Sequence, residues 1–193
     1  MCSIIGGEPV NLHFPYYVEG DIRAARYAGF SSGTGKYVSF VDIDDWVEPG
    51  IFQKCWDHLE RSPQSCGIFT RSKQVWERGD VQTFTDLTTY KPWPLPAPGS
   101  LVDIHQLVVM NRQDCMYVYD TQYDRIPARI HEMPWVYWEM AKLKPWIALD
   151  AVGYYWRIRE DGAHRTYDKD IAESLKVSMQ HMNAIRQQLL IKR

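Results

Sequence analysis

"GKYVSFVDIDDW", residues 35–46, is the stretch on which the reading of the fold turns. Lys36 to Val41 is an apolar run suited to a buried strand, and Asp42, Asp44 and Asp45 follow it directly, with Trp46 behind them. Three carboxylates within four positions gather mutually repelling charge at one point, which asks what that charge holds. In an open α/β sheet, ligands bind beyond the carboxyl ends of the strands, and the acids fall there if residues 36–41 form a central strand. Acids two apart project to the same side of an extended chain, so Asp42 and Asp44 are expected to approach one hard cation, Mg2+ or Mn2+, together. The competing reading is that the acids cap the next helix, as Asp45 near its start could. A cap needs one acid, however, and this stretch supplies three.

Working outward, strands and helices alternate. Upstream, Cys2 to Ile5 and Val10 to Tyr17 are short strand candidates, and Gly20-Asp21 opens a helix through Ile22, Ala25 and Ala28 that stops near Gly33. Downstream, Pro49 stands at a favourable first-turn position for a helix running to about Arg61. Gly67 to Thr70 is a strand, and the runs flanking Arg78-Gly79-Asp80 form a hairpin. "KPWPLPAPGS", residues 91–100, has four prolines and a glycine and must be loop. Leu107 to Met110 resumes a strand, Trp135 to Leu143 is a helix, and Ala148 to Arg159 a strand rich in aromatics. Asp168 is a fitting cap for a last helix over Ile171 to Leu190, within a C-terminal helical segment at 168–193. The alternation predicts an α/β fold in a single domain over residues 1–193.

Composition narrows the function classes. The chain has 193 residues, 45% hydrophobic, enough for one domain with a sizeable core. A net charge of −2 leaves no global basic field to recruit nucleic acid or an anionic membrane. From residue 151 onward there are eight Lys/Arg against five Asp/Glu, so the C-terminal end is locally basic; a phosphate-bearing ligand and a solvated helix face suit it about equally. The four cysteines, at 2, 55, 66 and 115, form no Cys-x-x-Cys pair and read as reduced thiols. No segment approaches the roughly 18 apolar residues of a membrane span, so a cytoplasmic protein is expected.

Two apparent motifs fall away. "GFSSGTGK", residues 29–36, resembles a phosphate loop, but Phe30 stands where that motif needs its first glycine and Tyr37 where it needs Ser or Thr. The Arg78-Gly79-Asp80 triplet is the small, polar sequence a tight turn requires.

The acid cluster belongs to a larger pattern. "GDIRAARYAGFSSGTGKYVSFVDIDDWVEPGIF", residues 20–52, resembles the central signature of family 2 glycosyltransferases of the GT-A fold. That signature runs from a helix with an Ala-Arg-Asn-like motif through a Gly-(Lys/Glu)-Tyr turn to an apolar strand ending in Asp-x-Asp-Asp, then Pro and a helix. "VVMNRQDC" resembles the strand and short Arg-containing helix preceding the acceptor site, and "YYWRIREDGAHR" the late Tyr-x-x-Arg segment. The resemblance implies a GT-A-like mixed sheet flanked by helices. It also implies a nucleotide-sugar-dependent enzyme that uses Mn2+ or Mg2+ to move a sugar to a hydroxyl acceptor, with inversion.

Roles carry over residue by residue. Asp42 is similar to the acid facing the donor's ribose or the metal, Asp44 to the metal ligand of the DxD motif, and Asp45 to a supporting acid. Arg26 resembles the arginine that reaches the donor nucleotide, although on a helix it could equally pair with Asp21 or Glu19, and Tyr27 stands where asparagine is usual. His164 matches a C-terminal metal ligand, with Arg157, Arg159 and Arg165 around it as charge suited to phosphate. For the base that takes the acceptor's proton, "ARIHEMPWVYWEMAKL", residues 128–143, offers Glu132, with Met133 in place of an expected aspartate; His131 and Glu139 come next. Trp135 and Trp138 suit stacking on sugar or base, and suit a core better.

Only about 20 residues precede the Gly20-Asp21 helix, so the resemblance implies a shortened nucleotide pocket, smaller, differently built or completed by another subunit of a homo-oligomer. A glycan or lipid-linked sugar is the default acceptor and a hydroxylated DNA base the second. Two other classes stay open: a non-catalytic binding module of the same fold, and a phosphohydrolase of the haloacid dehalogenase type with Asp42 as nucleophile.

Overall fold

The first described helix begins where its cap dictates. Asp21 accepts the N–H of Ala24 at 2.9 Å and so satisfies an otherwise orphaned donor of α1, Ile22–Ser31. The computed structural model describes residues 2–3, 21–78, 81–86, 107–127, 132–158 and 169–191. The strand expected over Val10 to Tyr17, the loop at 91–100 and the cap at Asp168 lie outside them.

Cys2–Ser3 forms β1 and Tyr37–Phe40 forms β2, one residue shorter at each end than the apolar run. The chain then turns through the acids into Trp46–Val47, β3, a two-residue strand that the sequence did not announce. Pro49 does not open the next helix as expected. Glu48 O accepts the N–H of Ile51 at 3.1 Å, and Gly50 has φ 75° and ψ 0°, so Pro49 and Gly50 are the corners of a type II turn. Proline fixes the first corner and glycine takes the positive φ of the second, and α2 runs over Ile51–Arg61.

β4, Gly67–Arg78, and β5, Val81–Asp86, pair antiparallel from Lys73↔Asp86 to Arg78↔Val81, which is the expected hairpin. The short strand read at Gly67 to Thr70 and the first arm of that hairpin are one continuous strand. β6 (Val108–Asn111) ends in Asn111, whose side chain accepts the N–H groups of Gln113 and Asp114 and caps α3, Arg112–Gln122. A 3-10 turn (Tyr123–Arg125), α4 (Glu132–Leu143), β7 (Trp146–Ile158) and α5 (Lys169–Ile191) complete the described elements.

The strands form one mixed sheet in the order β1-β2-β6-β4-β7-β3, with β5 added beside β4. β4 and β7 are parallel; β2, β6 and β4 alternate in direction, as do β7 and β3. Alternating side chains feed two cores. Val38, Phe69, Val108 and Met110 face one, which α1, α3, α4 and α5 cover with Phe30, Tyr119, Trp138, Met182 and Ile185. Tyr37, Ile68, Val109 and Tyr154 face the other, covered by Ile51, Cys55 and Leu59 of α2. The sheet is therefore buried on both sides, and β2 is an interior strand whose one buried hydroxyl, Ser39, donates to Val108 O at 2.8 Å. Cys55, Cys66 and Cys115 are buried free thiols, and burial pushes the Cys55 thiol up to about 12. No helix among the described residues is long and apolar enough to cross a membrane.

Candidate functional site

The acids lie at the end of β2, as the sequence reading requires, but not on an extended chain. Asp45 N donates to Asp42 O at 3.1 Å, closing a tight turn around Ile43 and Asp44. The turn separates the three carboxylates by environment. Asp45 turns inward: its two oxygens accept the Tyr154 hydroxyl and, at 2.8 Å, the backbone N–H of Arg157. Burial, outweighing those two donors and reinforced by the nearby Asp42 and Asp44, pushes the Asp45 carboxyl up to about 6. Tyr154 also receives the N–H of Asp42 on its hydroxyl at 3.4 Å, so one buried phenol ties both ends of the turn to β7.

Asp42 turns outward, with its side chain 55% exposed. Arg26 of α1 comes within 3.6 Å of its Oδ1 while its guanidinium lies 5.4 Å from the centre of the Phe40 ring. Of the alternatives for Arg26, Asp21 pairs with Arg23 at 2.9 Å, Glu19 lies outside the described residues, and Arg26 reaches the acid turn. Such a half-exposed pair adds little to stability, so its place beside the turn is the more telling fact. Tyr27, one residue on, donates to Asp120 at 2.8 Å and packs among Phe30, Tyr119 and Tyr123, a structural post and not a contact at the turn.

Asp44 lies along a cleft of about 640 Å3 whose walls include Ile43, Trp46, Glu48, Tyr155 and Arg157. β3 and β7, hydrogen-bonded neighbours in the register Trp46↔Tyr155 and Val47↔Tyr154, both line it. The alternation of strand side chains sends Val47 and Tyr154 to the core and Trp46 and Tyr155 to the cleft, their rings 5.5 Å apart and within 9° of parallel. The Arg157 guanidinium stands 5.4 Å from the Trp46 ring centre, and Tyr155 donates its hydroxyl to Glu48 at 2.6 Å. Trp46, Glu48, Tyr154 and Tyr155 escaped the sequence reading, although the alternation from Asp44 through Trp46 to Glu48 was the available signal.

Other candidates separate by place. Glu132 is the first residue of α4, and its side chain lies outside the described residues, as do His131, His164, Arg159 and Arg165. Met133, where an aspartate was expected, is buried beside Tyr119, a position that favours an apolar side chain. Glu139 is also buried, but it faces α5: it accepts from Lys142 and pairs with His181, each at 2.7 Å. That engagement removes it from the acid turn. Trp135 and Trp138 are core residues.

Among the described residues, no group of three His, Cys, Asp or Glu is arranged to hold a metal ion. Asp42 and Asp44 supply hard oxygen donors of the kind that hold Mg2+ or Mn2+ when substrate phosphates and water complete the shell. The residues present therefore fit such an ion in partnership with a ligand.

The fold is similar to that of TarS of S. aureus. One crystal structure of TarS 1-349 aligns with a TM-score of 0.54 at 15% identity over 86% of this chain, and one in complex with UDP with 0.51 at 12% over 86%. The chain spans about half the length of these proteins, 49% in both cases. No curated protein sequence matches it. The fold is of the GT-A type, an α/β architecture with its acids at the end of an interior strand. The glycosyl transferase family 2 model matches residues 19–118, more than half of the sequence, and the chain belongs to that family.

Proposed function

We propose that this chain transfers a sugar from a nucleotide-diphosphate-sugar donor to a hydroxyl acceptor, with inversion and with Mg2+ or Mn2+ bound at Asp42 and Asp44. The observation that carries the reading is the turn itself. Two outward carboxylates stand at the end of an interior strand, braced from behind by Asp45 and Tyr154 and flanked by Arg26 and Arg157, in a chain of the sugar-transferring family. When bound, the cation supplies neutralising charge at the diphosphate as it departs. Arg26 and Arg157 orient the donor, and His164 and Arg165 are proposed to approach the same diphosphate from the segment before α5. The acceptor oxygen attacks the anomeric carbon as the bond to the diphosphate breaks, and its proton passes to Glu132 at the start of α4. UDP is the first nucleotide to test, because TarS is known in complex with it. Membership of the family supports transfer over phosphohydrolase chemistry.

Calorimetry with UDP and Mn2+ tests the site. Wild type should bind UDP with an affinity that requires the cation. The double variant Asp42→Asn with Asp44→Asn should lose binding by about a hundredfold or more, as removal of a charged ligand pair from a phosphate site entails. Cation-independent binding, or full binding by the double variant, would overturn the metal assignment. Glu132→Gln should keep UDP binding and lose transfer; a variant with undiminished transfer removes Glu132 as the base, and donor binding without any turnover by wild type would mark a binding module.

A further inference from the structure

The cleft beside the acid turn holds more than donor binding requires. Arg26 of α1 meets the turn at Asp42, and the cleft is lined by Asp44 and by outward residues of the paired strands β3 and β7, without Arg26. Its chemistry has three parts. Trp46 and Tyr155 supply nearly parallel aromatic rings. The Glu48 carboxylate is fixed by the Tyr155 hydroxyl at 2.6 Å, and its backbone by an N–H donated to Gly153 O at 3.1 Å. Arg157 brings a guanidinium over Trp46. A pyranose fits this combination: its C–H face packs on an aromatic ring while its hydroxyls donate to a carboxylate, and Arg157, already proposed to orient the donor, borders the cleft.

From this arrangement we infer that the cleft is the acceptor subsite and that it receives a neutral saccharide, with Trp46 as the platform under the sugar ring and Glu48 as the residue that holds a hydroxyl. The inference rests on the donor reading only for the word acceptor; the affinity for a sugar stands on the cleft alone. Charge selects the class. Glu48, which lies beyond the proposed cation site, accepts from sugar hydroxyls and repels a phosphate, so an uncharged glycan is favoured over a phosphorylated sugar or the phosphate backbone of DNA. The rigidity of Glu48 favours binding as well: a carboxylate already held by its neighbours pays little ordering entropy on binding.

Saturation-transfer NMR with maltose, cellobiose and N,N′-diacetylchitobiose, each in the presence of UDP and Mn2+, tests this assignment. At least one of these disaccharides should bind, with saturation concentrated on the C–H face of one ring. Trp46→Leu should weaken that binding about tenfold and Glu48→Gln by a similar factor, while Trp46→Phe retains it within about twofold. UDP affinity should fall by no more than about fivefold in Trp46→Leu, which removes only the ring beneath Arg157, and retained UDP binding also shows that the variant is folded; if it does not fold, Glu48→Gln and Tyr155→Phe decide in its place. The assignment is overturned if UDP binds and none of the three disaccharides does, or if their binding ignores both Trp46→Leu and Glu48→Gln. It is equally overturned if Trp46→Leu erases only the advantage of a UDP-sugar over UDP, which would make the cleft a donor-sugar site, or if a phosphorylated sugar or duplex DNA binds more tightly than the neutral sugars. Failure of UDP itself to bind, with Trp46-dependent disaccharide binding intact, would remove the transferase reading and leave the saccharide site standing.

Discussion

Tyr154 is the residue on which the acid turn depends. Its ring is core, packed with Ile51 and Leu59, yet its hydroxyl ends among polar groups, donating to Asp45 and accepting from the Asp42 N–H. Burial and the neighbouring acids push the phenol well above its ordinary range, so it acts as a fixed donor at every accessible pH. Tyr154→Phe keeps the ring and removes the tether. It should cost about 1.5–3 kcal/mol of stability, the usual worth of a hydrogen bond to a carboxylate, and weaken UDP binding without touching the ligand. A thermal melt read beside the calorimetric titration checks both parts, and loss of stability with unchanged UDP affinity would make Tyr154 merely a core residue. Neither its role nor that of Glu48 was legible beforehand. A tyrosine pair at residues 154–155 in a strand says that one faces in and one out, but which is which depends on register, and register is set by pairing with a strand too short to recognise.

At the scale of the element, the decisive event is a slip in the β4–β7 ladder. The two strands run in parallel register from Gly67↔Trp146 to Thr70↔Leu149, then shift at Thr70/Arg71 and again at Arg71/Ser72 before Ser72↔Tyr154. Gly153 is the residue skipped at the second shift, where a Cβ would come within 2.7 Å of the Thr70 Cβ, and its carbonyl accepts the Glu48 N–H. Thr70 is fully buried and branched, so it has nowhere to go. Gly153→Ala should therefore cost about 1–3 kcal/mol and displace β3, measured as a lowered melting temperature together with loss of amide protection at Glu48 in hydrogen exchange. The sequence carried the helices well because their signals are local: Asp21 as cap, the apolar spacing of α2, and the last helix. The length of β4 and the existence of β3 are products of long-range pairing, which no short window of residues reports.

For the molecule as a whole, α5 is fastened to α4 by one polar cluster in an apolar seam. The ring of His181 lies 3.4 Å above Trp135 and nearly parallel to it, and bonds Glu139, while Met182 and Ile185, further along the same helix, enter the core. Burial works to raise the Glu139 carboxyl, but the bonds from His181 and Lys142 outweigh it and hold it below its usual range. The unfolded chain takes up that proton first as pH falls, so the stabilisation is present above the ordinary carboxylate range and is lost below about pH 4.5. Glu139→Gln should cost about 2 kcal/mol near neutral pH, and urea titrations should show that difference shrinking as pH falls through this window. A pH-independent difference would assign the loss to packing. The GT-A architecture was legible because residues 20–52 hold the helix, strand, acids and turn in one continuous stretch; the proposed base Glu132 and the proposed metal ligand His164 were less so, because they stand far along the chain from that stretch. The placing of the site has a further consequence. In the order β1-β2-β6-β4-β7-β3, the acid turn leads into a terminal strand of only two residues, with carboxylates before it and Pro49 soon after. Sheet margins are where chains join end to end into aggregates, and among the described strands this brief, negatively charged margin followed by proline is a poor template for such growth. The same acids that are proposed to hold a cation thus also guard the border of the sheet against self-association.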